Sequence, residues 1–269
     1  MMIDAHTHLD VRSFEDLEKM ALCSIETIIT CSHDPYKMSV PEVYIDHWNR
    51  LINLETKRGE LANISVKVAI GVHPMGYPKN WDILIDELSN ILRNREDNIC
   101  DNSINNKYNN LNNIVAIGET GLHYITKDEK NLLLEQLNLA KDYNMPIIIH
   151  TPEKNKKEAL LEILDLLDKS EINNKLVMID HINKETVDLI NRDVYVGLTL
   201  QPPLKIDHIE ATEIITEYNK KFILSSDLGS LKADIYALPR IKLYMEKNNI
   251  NSKKIKNSTY NNAKEFYKL

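Results

Sequence analysis

The chain opens Met1-Met2-Ile3-Asp4-Ala5-His6-Thr7-His8-Leu9-Asp10, and the fold is read outward from this stretch. A short apolar run leads into two histidines two residues apart. If the run is a strand, His6 and His8 project to one face. Two imidazoles at the end of a buried strand are placed to hold a divalent metal. A frayed terminus with two surface histidines would give the same ten letters, so the remaining chain decides between the two.

Apolar, β-branched runs recur, and each ends in polar residues. Ile25–Thr30 runs into Cys31-Ser32-His33-Asp34-Pro35, and Ile64–Ile70 into Gly71-Val72-His73-Pro74. Ile114–Ile117 meets Gly118-Glu119-Thr120-Gly121-Leu122, Pro146–Ile149 meets His150-Thr151-Pro152, and Leu176–Ile179 meets Asp180-His181. Val194–Leu198 precedes Thr199-Leu200-Gln201-Pro202-Pro203, and Phe222–Leu224 precedes Ser225-Ser226-Asp227. Between these runs the spacing predicts helices. Ser13 caps the first, with Phe14, Leu17, Met20, Ala21 and Leu22 at helical intervals. Pro41 to about Leu61 reads as a long amphipathic helix with Val43, Tyr44, Trp48, Leu51, Ile52 and Leu54 inward. Further helices are expected over 81–92, 130–143, 158–167, 184–191, 206–218, 238–247 and 261–267. Asn94–Asn113 is rich in Asn and reads as a surface insertion or a helix tail with a loop.

Strand then helix, repeated about eight times without a second composition regime, predicts an α/β fold with a parallel sheet. At this length a closed (β/α)8 TIM barrel fits better than an open sheet, with residues 1–269 as one domain. No glycine-rich nucleotide loop follows an early strand, which weakens a nucleotide-cofactor reading.

The 269 residues are 43% hydrophobic and 27% charged, with a formal net charge of -7. That balance argues against extensive non-specific nucleic-acid binding, though not against a local basic rim. Cys23, Cys31 and Cys100 fit neither a disulfide framework nor a zinc ribbon and read as thiols of a reducing compartment. No signal peptide or membrane span is read, so a cytoplasmic protein without membrane contact is expected.

The polar residues of interest collect at one end of the expected strands: His6, His8, His73, Glu119, His150, His181 and Asp227. In a barrel those ends converge on one mouth. Singly, each has a plain alternative: His150 as a core histidine, Asp180 or Asp227 as a helix cap, Glu119 as a loop carboxylate. Jointly, those alternatives would require an independent accident at nearly every strand. Imidazoles and carboxylates are ligands for zinc and similar ions, and a carboxylate such as Glu119 can bridge two. Asp227 could then exchange a proton with the attacking water.

The ordered motifs IDAHTHLD, GVHP, IGETGLHY, PIIIH, MIDH and SSD, with Asn262-Ala263-Lys264-Glu265-Phe266 at the end, resemble the TatD-type metal-dependent hydrolases of the amidohydrolase superfamily. The resemblance covers almost the whole chain. It implies a distorted barrel with one or two divalent ions, zinc first and Mg²⁺, Mn²⁺ or Ni²⁺ as alternatives. It implies that His6, His8 and Asp227 hold one ion, that His150 and His181 hold the second, and that Glu119 bridges. His73 is similar to a histidine that contacts substrate. The implied activity is phosphodiester hydrolysis of DNA, as a deoxyribonuclease.

Three departures from the family pattern concern the substrate rim. His123 stands where the family commonly has Asp, and is a substrate contact or a plain loop histidine. Thr151-Pro152-Glu153-Lys154 replaces an arginine-containing segment, and Ser225-Ser226-Asp227 replaces Glu-Thr-Asp. These fit a diverged, archaeal-like branch. Lys205, at the mouth of the seventh strand, could pair with a phosphate or be a solvated loop lysine. Lys154, Lys156 and Lys157 read as a solvated helix start, and His33 could reach the mouth without an evident ligand partner. His47 and His208 read as surface or packing residues. Partners are therefore DNA or a small phosphate ester or amide. A small-molecule amidohydrolase, esterase or lactonase is the competing enzyme, and a non-catalytic binding barrel is the third reading.

Overall fold

The computed structural model describes residues 1–33, 37–96 and 110–269. Each apolar run forms a strand: β1 (Met2–Thr7), β2 (Ile25–Cys31), β3 (Ser65–Ile70), β4 (Ile114–Gly121), β5 (Ile147–His150), β6 (Val177–Ile179), β7 (Tyr195–Thr199) and β8 (Lys221–Ser225). Their order around the sheet is their order in the chain, and successive strands pair in parallel. The first and last strands meet at the mouth. Thr7 bridges Leu228, and the Asp227 and His8 amides donate to the His6 and Leu228 carbonyls at 2.9 and 2.8 Å. The result is the expected (β/α)8 TIM barrel.

The helices are α1 (Phe14–Leu22), α2 (Pro41–Arg50), α3 (Thr56–Leu61), α4 (Asp82–Glu96), α5 (Lys127–Asp142), α6 (Lys156–Ser170), α7 (His208–Glu217), α8 (Ala237–Lys247), α9 (Ser252–Lys256) and α10 (Asn262–Tyr267). Ser13 caps α1 by accepting the Asp16 amide, as its position predicts. Strands buried on both faces read as continuous apolar runs because helices cover the outside and side chains fill the inside. Inside, Ile3, Ala5, Ile29, Ile148, Met178, Tyr195 and Ile223 pack together, and Ala263, Phe266 and Tyr267 of α10 close the lower end. The Tyr267 hydroxyl donates to the Ala5 carbonyl at 2.7 Å, which anchors that plug.

Several expectations need correction. The helix expected over 184–191 is only a 3-10 turn at Val187–Leu189. The Thr186 hydroxyl bonds the Asn183 side chain at 2.7 Å, and such local bonds compete with helix formation. The long helix over 41–61 is present, but its middle is a π-helical turn, Leu51–Glu55. Tyr44, Trp48, Leu51 and Ile52 are buried as expected, whereas Val43 and Leu54 are exposed. The wider turn moves the buried stripe onto Glu55, whose carboxylate pairs with Arg50 and Arg58. Helix α9 and the π-helical turn Asn257–Asn261 were not anticipated. Of the Asn-rich stretch, residues 94–96 finish α4 and Leu111–Asn113 forms a turn; its remainder from 97 to 109, with Cys100, lies outside the described residues, as do Asp34 and Pro35. No described helix is long and apolar enough to cross a membrane.

Candidate metal centre

β1 ends at the mouth, where its register shifts after Asp4, and Asp4, His6 and His8 are all buried there. His6 is fully buried, and its Nδ1–H donates to Asp180 Oδ2 at 2.7 Å. Asp180 fits there because Gly197 of β7 has no Cβ; one would collide with that carboxylate. The His8 Nδ1–H donates to the Cys31 carbonyl at 3.1 Å. With both Nδ1 atoms donating, Nε2 is the atom left on each ring to take an ion or a proton, and the two face each other at 3.2 Å. Glu119 Oε2 lies 3.1 Å from His6 Nε2 and 3.8 Å from His8 Nε2. Asp227 Oδ1 lies 3.0 Å from His8 Nε2 and 3.9 Å from His6 Nε2. Lone-pair atoms this close repel unless a cation stands among them. Ligand atoms around a tetrahedral zinc ion lie about 3.3 Å apart, so the set fits such an ion. His6, His8 and Glu119 accordingly form one compact group of candidate ligands.

The other oxygen of Glu119 serves a second group. Oε1 lies 2.9 Å from His150 Nδ1 and 3.0 Å from His181 Nε2. The Thr199 hydroxyl donates to Asp180 Oδ1 at 3.0 Å, so the 2.8 Å contact at His181 Nδ1 is a donation from that ring. His181 Nε2 therefore also presents a lone pair. Asp180 thus orients His6 directly and His181 through Thr199, as carboxylates behind metal-binding histidines do. His181 and Asp227 both adopt left-handed backbone, with φ of 62° and 49°. That conformation costs a residue with a Cβ roughly 1 kcal/mol, and it occurs here at the mouth.

His73 is built differently. Its amide donates to the Tyr44 hydroxyl at 2.8 Å, and its Nδ1 accepts the Met75 amide at 3.1 Å. The neutral ring must then carry its proton on Nε2. That atom is buried without a hydrogen-bond partner among the described residues, 3.7 Å from Glu119 Oε2. In this tautomer His73 offers a donor to the mouth rather than a lone pair to an ion. The Gln136 side chain of α5 holds the neighbouring loop, bonding the Val72 amide at 2.7 Å and carbonyl at 3.1 Å.

The electrostatics follow the same layout. Burial alone would raise the Glu119 carboxyl, but the His6, His73, His150 and His181 rings reverse this and hold it well below the usual range. Burial likewise opposes ionisation of Asp227, and Lys205 with His8 and His6 overcomes it. Burial disfavours the His6 cation, yet Cys31, Glu119 and Asp180 raise its pKa well above normal. The pocket thus draws positive charge, a proton or an ion. Burial lowers His73 far below its ordinary value and His150 to about 3, keeping both rings neutral.

The nine anticipated residues converge: His6 lies at the floor and the other eight line the cavity above it. His123 stacks on His150, with His123 Nδ1 3.4 Å from His150 Nε2. Lys205 is not a solvated loop lysine; its ammonium pairs with Asp227 and lies 3.2 Å from His181 Nε2. Lys156 is not solvated either. Its ammonium donates to the His181 carbonyl at 2.7 Å, and burial pulls its pKa down to about 8. Its phase with buried Ala159, Leu160 and Ile163 was the available signal. His33 reaches the mouth, its ring 4.4 Å from His8 and 4.6 Å from His73. Asp180 and Asp227 do not act as helix caps. The roles of Asp180, Thr199 and Asp4 were missed. Asp4 accepts the Ser226 amide and hydroxyl at 2.9 and 2.6 Å, tying β1 to the loop that carries Asp227. Its two-residue spacing from His6 could have placed it. His208 packs on Tyr244, and His47 accepts the His33 amide at 3.4 Å.

A family model described as TatD related DNase matches residues 3–268. A protein of Methanocaldococcus jannaschii described as an uncharacterized metal-dependent hydrolase is 71% identical over 268 residues, covering all of both chains. The solved structure of a TatD-like protein from Archaeoglobus fulgidus superposes with a TM-score of 0.80 at 27% identity, over 99% of this chain and 100% of that one. A phosphotriesterase homology protein from Escherichia coli shares the fold, with a TM-score of 0.71 at 13% identity over 99% and 98% of the two chains. With ligand-type atoms gathered at the barrel mouth and the family matched from end to end, the chain is a metal-dependent hydrolase and belongs to the TatD related DNase family.

Proposed function

We propose that this chain hydrolyses ester bonds to phosphorus, phosphodiesters among them, with one or two divalent ions in the mouth. The observation that carries the reading is Glu119, whose two oxygens face two separate groups of imidazole nitrogens. In this reading His6, His8 and Asp227 would hold one ion and His150 and His181 the other, with Glu119 available to both. Zinc suits the donor set best, and Mn²⁺, Mg²⁺ and Ni²⁺ are the alternatives. When bound, such ions polarise a phosphoryl oxygen and make water a nucleophile at neutral pH. The protein's own groups do the rest. Asp227, kept ionised beside Lys205, accepts the proton of the attacking water. The Nε2–H of His73 donates to a substrate oxygen, and the Lys205 ammonium balances its developing charge. The family's name supports a phosphodiester of DNA, and the same chemistry serves small diesters. Residues 1–269 act as one domain in this reading, and Cys23 and Cys31, both free thiols, suit a reducing cytoplasm.

The test is elemental analysis followed by hydrolysis of single-stranded DNA, methyl p-nitrophenyl phosphate and a simple lactone with the identified metal supplied. Phosphoester cleavage that falls about a thousandfold in Asp227→Asn, with metal retained, is expected. Cleavage of the lactone alone would move the chain to carbonyl chemistry.

A further inference from the structure

We infer that the substrate is a small ester bearing one apolar substituent and at most one negative charge, rather than a nucleic-acid strand; the inference rests on the phosphoester reading above. The cavity over the metal centre measures about 410 Å³, the size of a pocket for a small molecule. Its walls above the histidines are Val11, Met75, Leu204 and Leu231. These come from four separate segments, following β1, β3, β7 and β8. Val11, Leu204 and Leu231 are 52%, 44% and 59% exposed. A single exposed aliphatic side chain is ordinary, but several converging on one reactive cavity make an apolar seat.

Charge points the same way. Among the described residues lining the cavity, Lys205 is the one Lys or Arg, and it already pairs with Asp227. Asp10 and Glu153 stand at the rim. The nearby arginines hold the loops instead. Arg12 donates to the Gly229 carbonyl at 3.0 Å and pairs with Asp16 at 2.6 Å; Arg50 donates to the Asp10 carbonyl at 2.6 Å. A nucleic-acid strand needs a track of cations for successive phosphates. Among the described residues this mouth offers one ammonium, acidic neighbours and aliphatic walls.

The test is calorimetric binding to the zinc-supplied protein of methyl(phenyl)phosphinate, dimethylphosphinate and a short phosphorothioate thymidylate, at low and physiological salt. The phenyl compound should bind about tenfold more tightly than the dimethyl one, by the area its ring buries. Leu231→Ala and Leu204→Ala should each shrink that advantage several-fold, because the ring then buries less apolar area. Thymidylate binding tighter than the phenyl compound and falling steeply with salt would overturn the inference, as would no gain from the phenyl ring. The two readings fail separately. No turnover of methyl p-nitrophenyl phosphate with the phenyl advantage intact removes phosphoester hydrolysis and keeps the seat. Cleavage of DNA and diester without that advantage does the reverse.

Discussion

At the scale of the residue, the centre depends on which nitrogen of each ring carries the proton. Asp180 settles this for His6, and for His181 through Thr199. Asp180→Ala should therefore weaken metal binding about 10- to 100-fold, read by chelator competition, even though Asp180 need not touch the ion. Glu119 sets one carboxylate oxygen against the Nε2 atoms of His6 and His8 and the other against His150 and His181. Glu119→Gln should lose one metal equivalent by elemental analysis, and unchanged stoichiometry would exclude bridging. These two variants separate a residue that orients ligands from one that joins them. Neither distinction can be read from residue type, since both are carboxylates beside histidines.

At the scale of the element, the first turn of α6 carries an ionisable group into the wall of the barrel. Lys156 is buried against the ends of β5 and β6, and its folded pKa of about 8 lies below that of a free lysine. Between about pH 8 and about pH 10 the unfolded chain keeps this proton while the folded chain releases it. The unfolded state then binds more protons, so stability rises with pH through that window. The rise should amount to about 3 kcal/mol at most. Urea unfolding across the window should show it in the parent chain and not in Lys156→Met. A parallel response in both would place the lysine's charge in solvent. The sequence places α6 correctly by its apolar period, yet a lysine in phase with that period can end in water or in the core. Its flexible stem allows either.

At the scale of the whole molecule, the candidate ligands come from the ends of β1, β4, β5, β6 and β8, so an ion would tie the mouth together. With metal present at about a hundred times its dissociation constant, linkage adds about 2.7 kcal/mol to stability. For a chain of this size that corresponds to a rise of roughly 5 to 10 °C in Tm. Calorimetry before and after EDTA, with zinc restored, should show the shift and its reversal. An unchanged Tm would mean that no ion joins these strands in the folded state. Much of this architecture was legible in the order of residues. The strands announce themselves because burial on both faces demands unbroken apolar runs, and the reactive residues follow each run by a few positions. The barrel expected from the alternation is the one observed, since chain connectivity carries each parallel strand to its neighbour. The helix expected over 184–191 failed because side-chain bonds between Asn183 and Thr186 outcompete a short helix. What the linear order left open was settled by atoms distant along the chain. His6 and Asp180 are 174 positions apart, yet their bond sets the tautomer that makes His6 a ligand. Lys205 enters the mouth, Lys156 is buried in the wall behind it, and Val11, Met75, Leu204 and Leu231 wall one cavity, only once the barrel closes. Strand period is a local property of the backbone, whereas protonation, burial of a cation and the shape of a pocket are properties of neighbours that folding supplies.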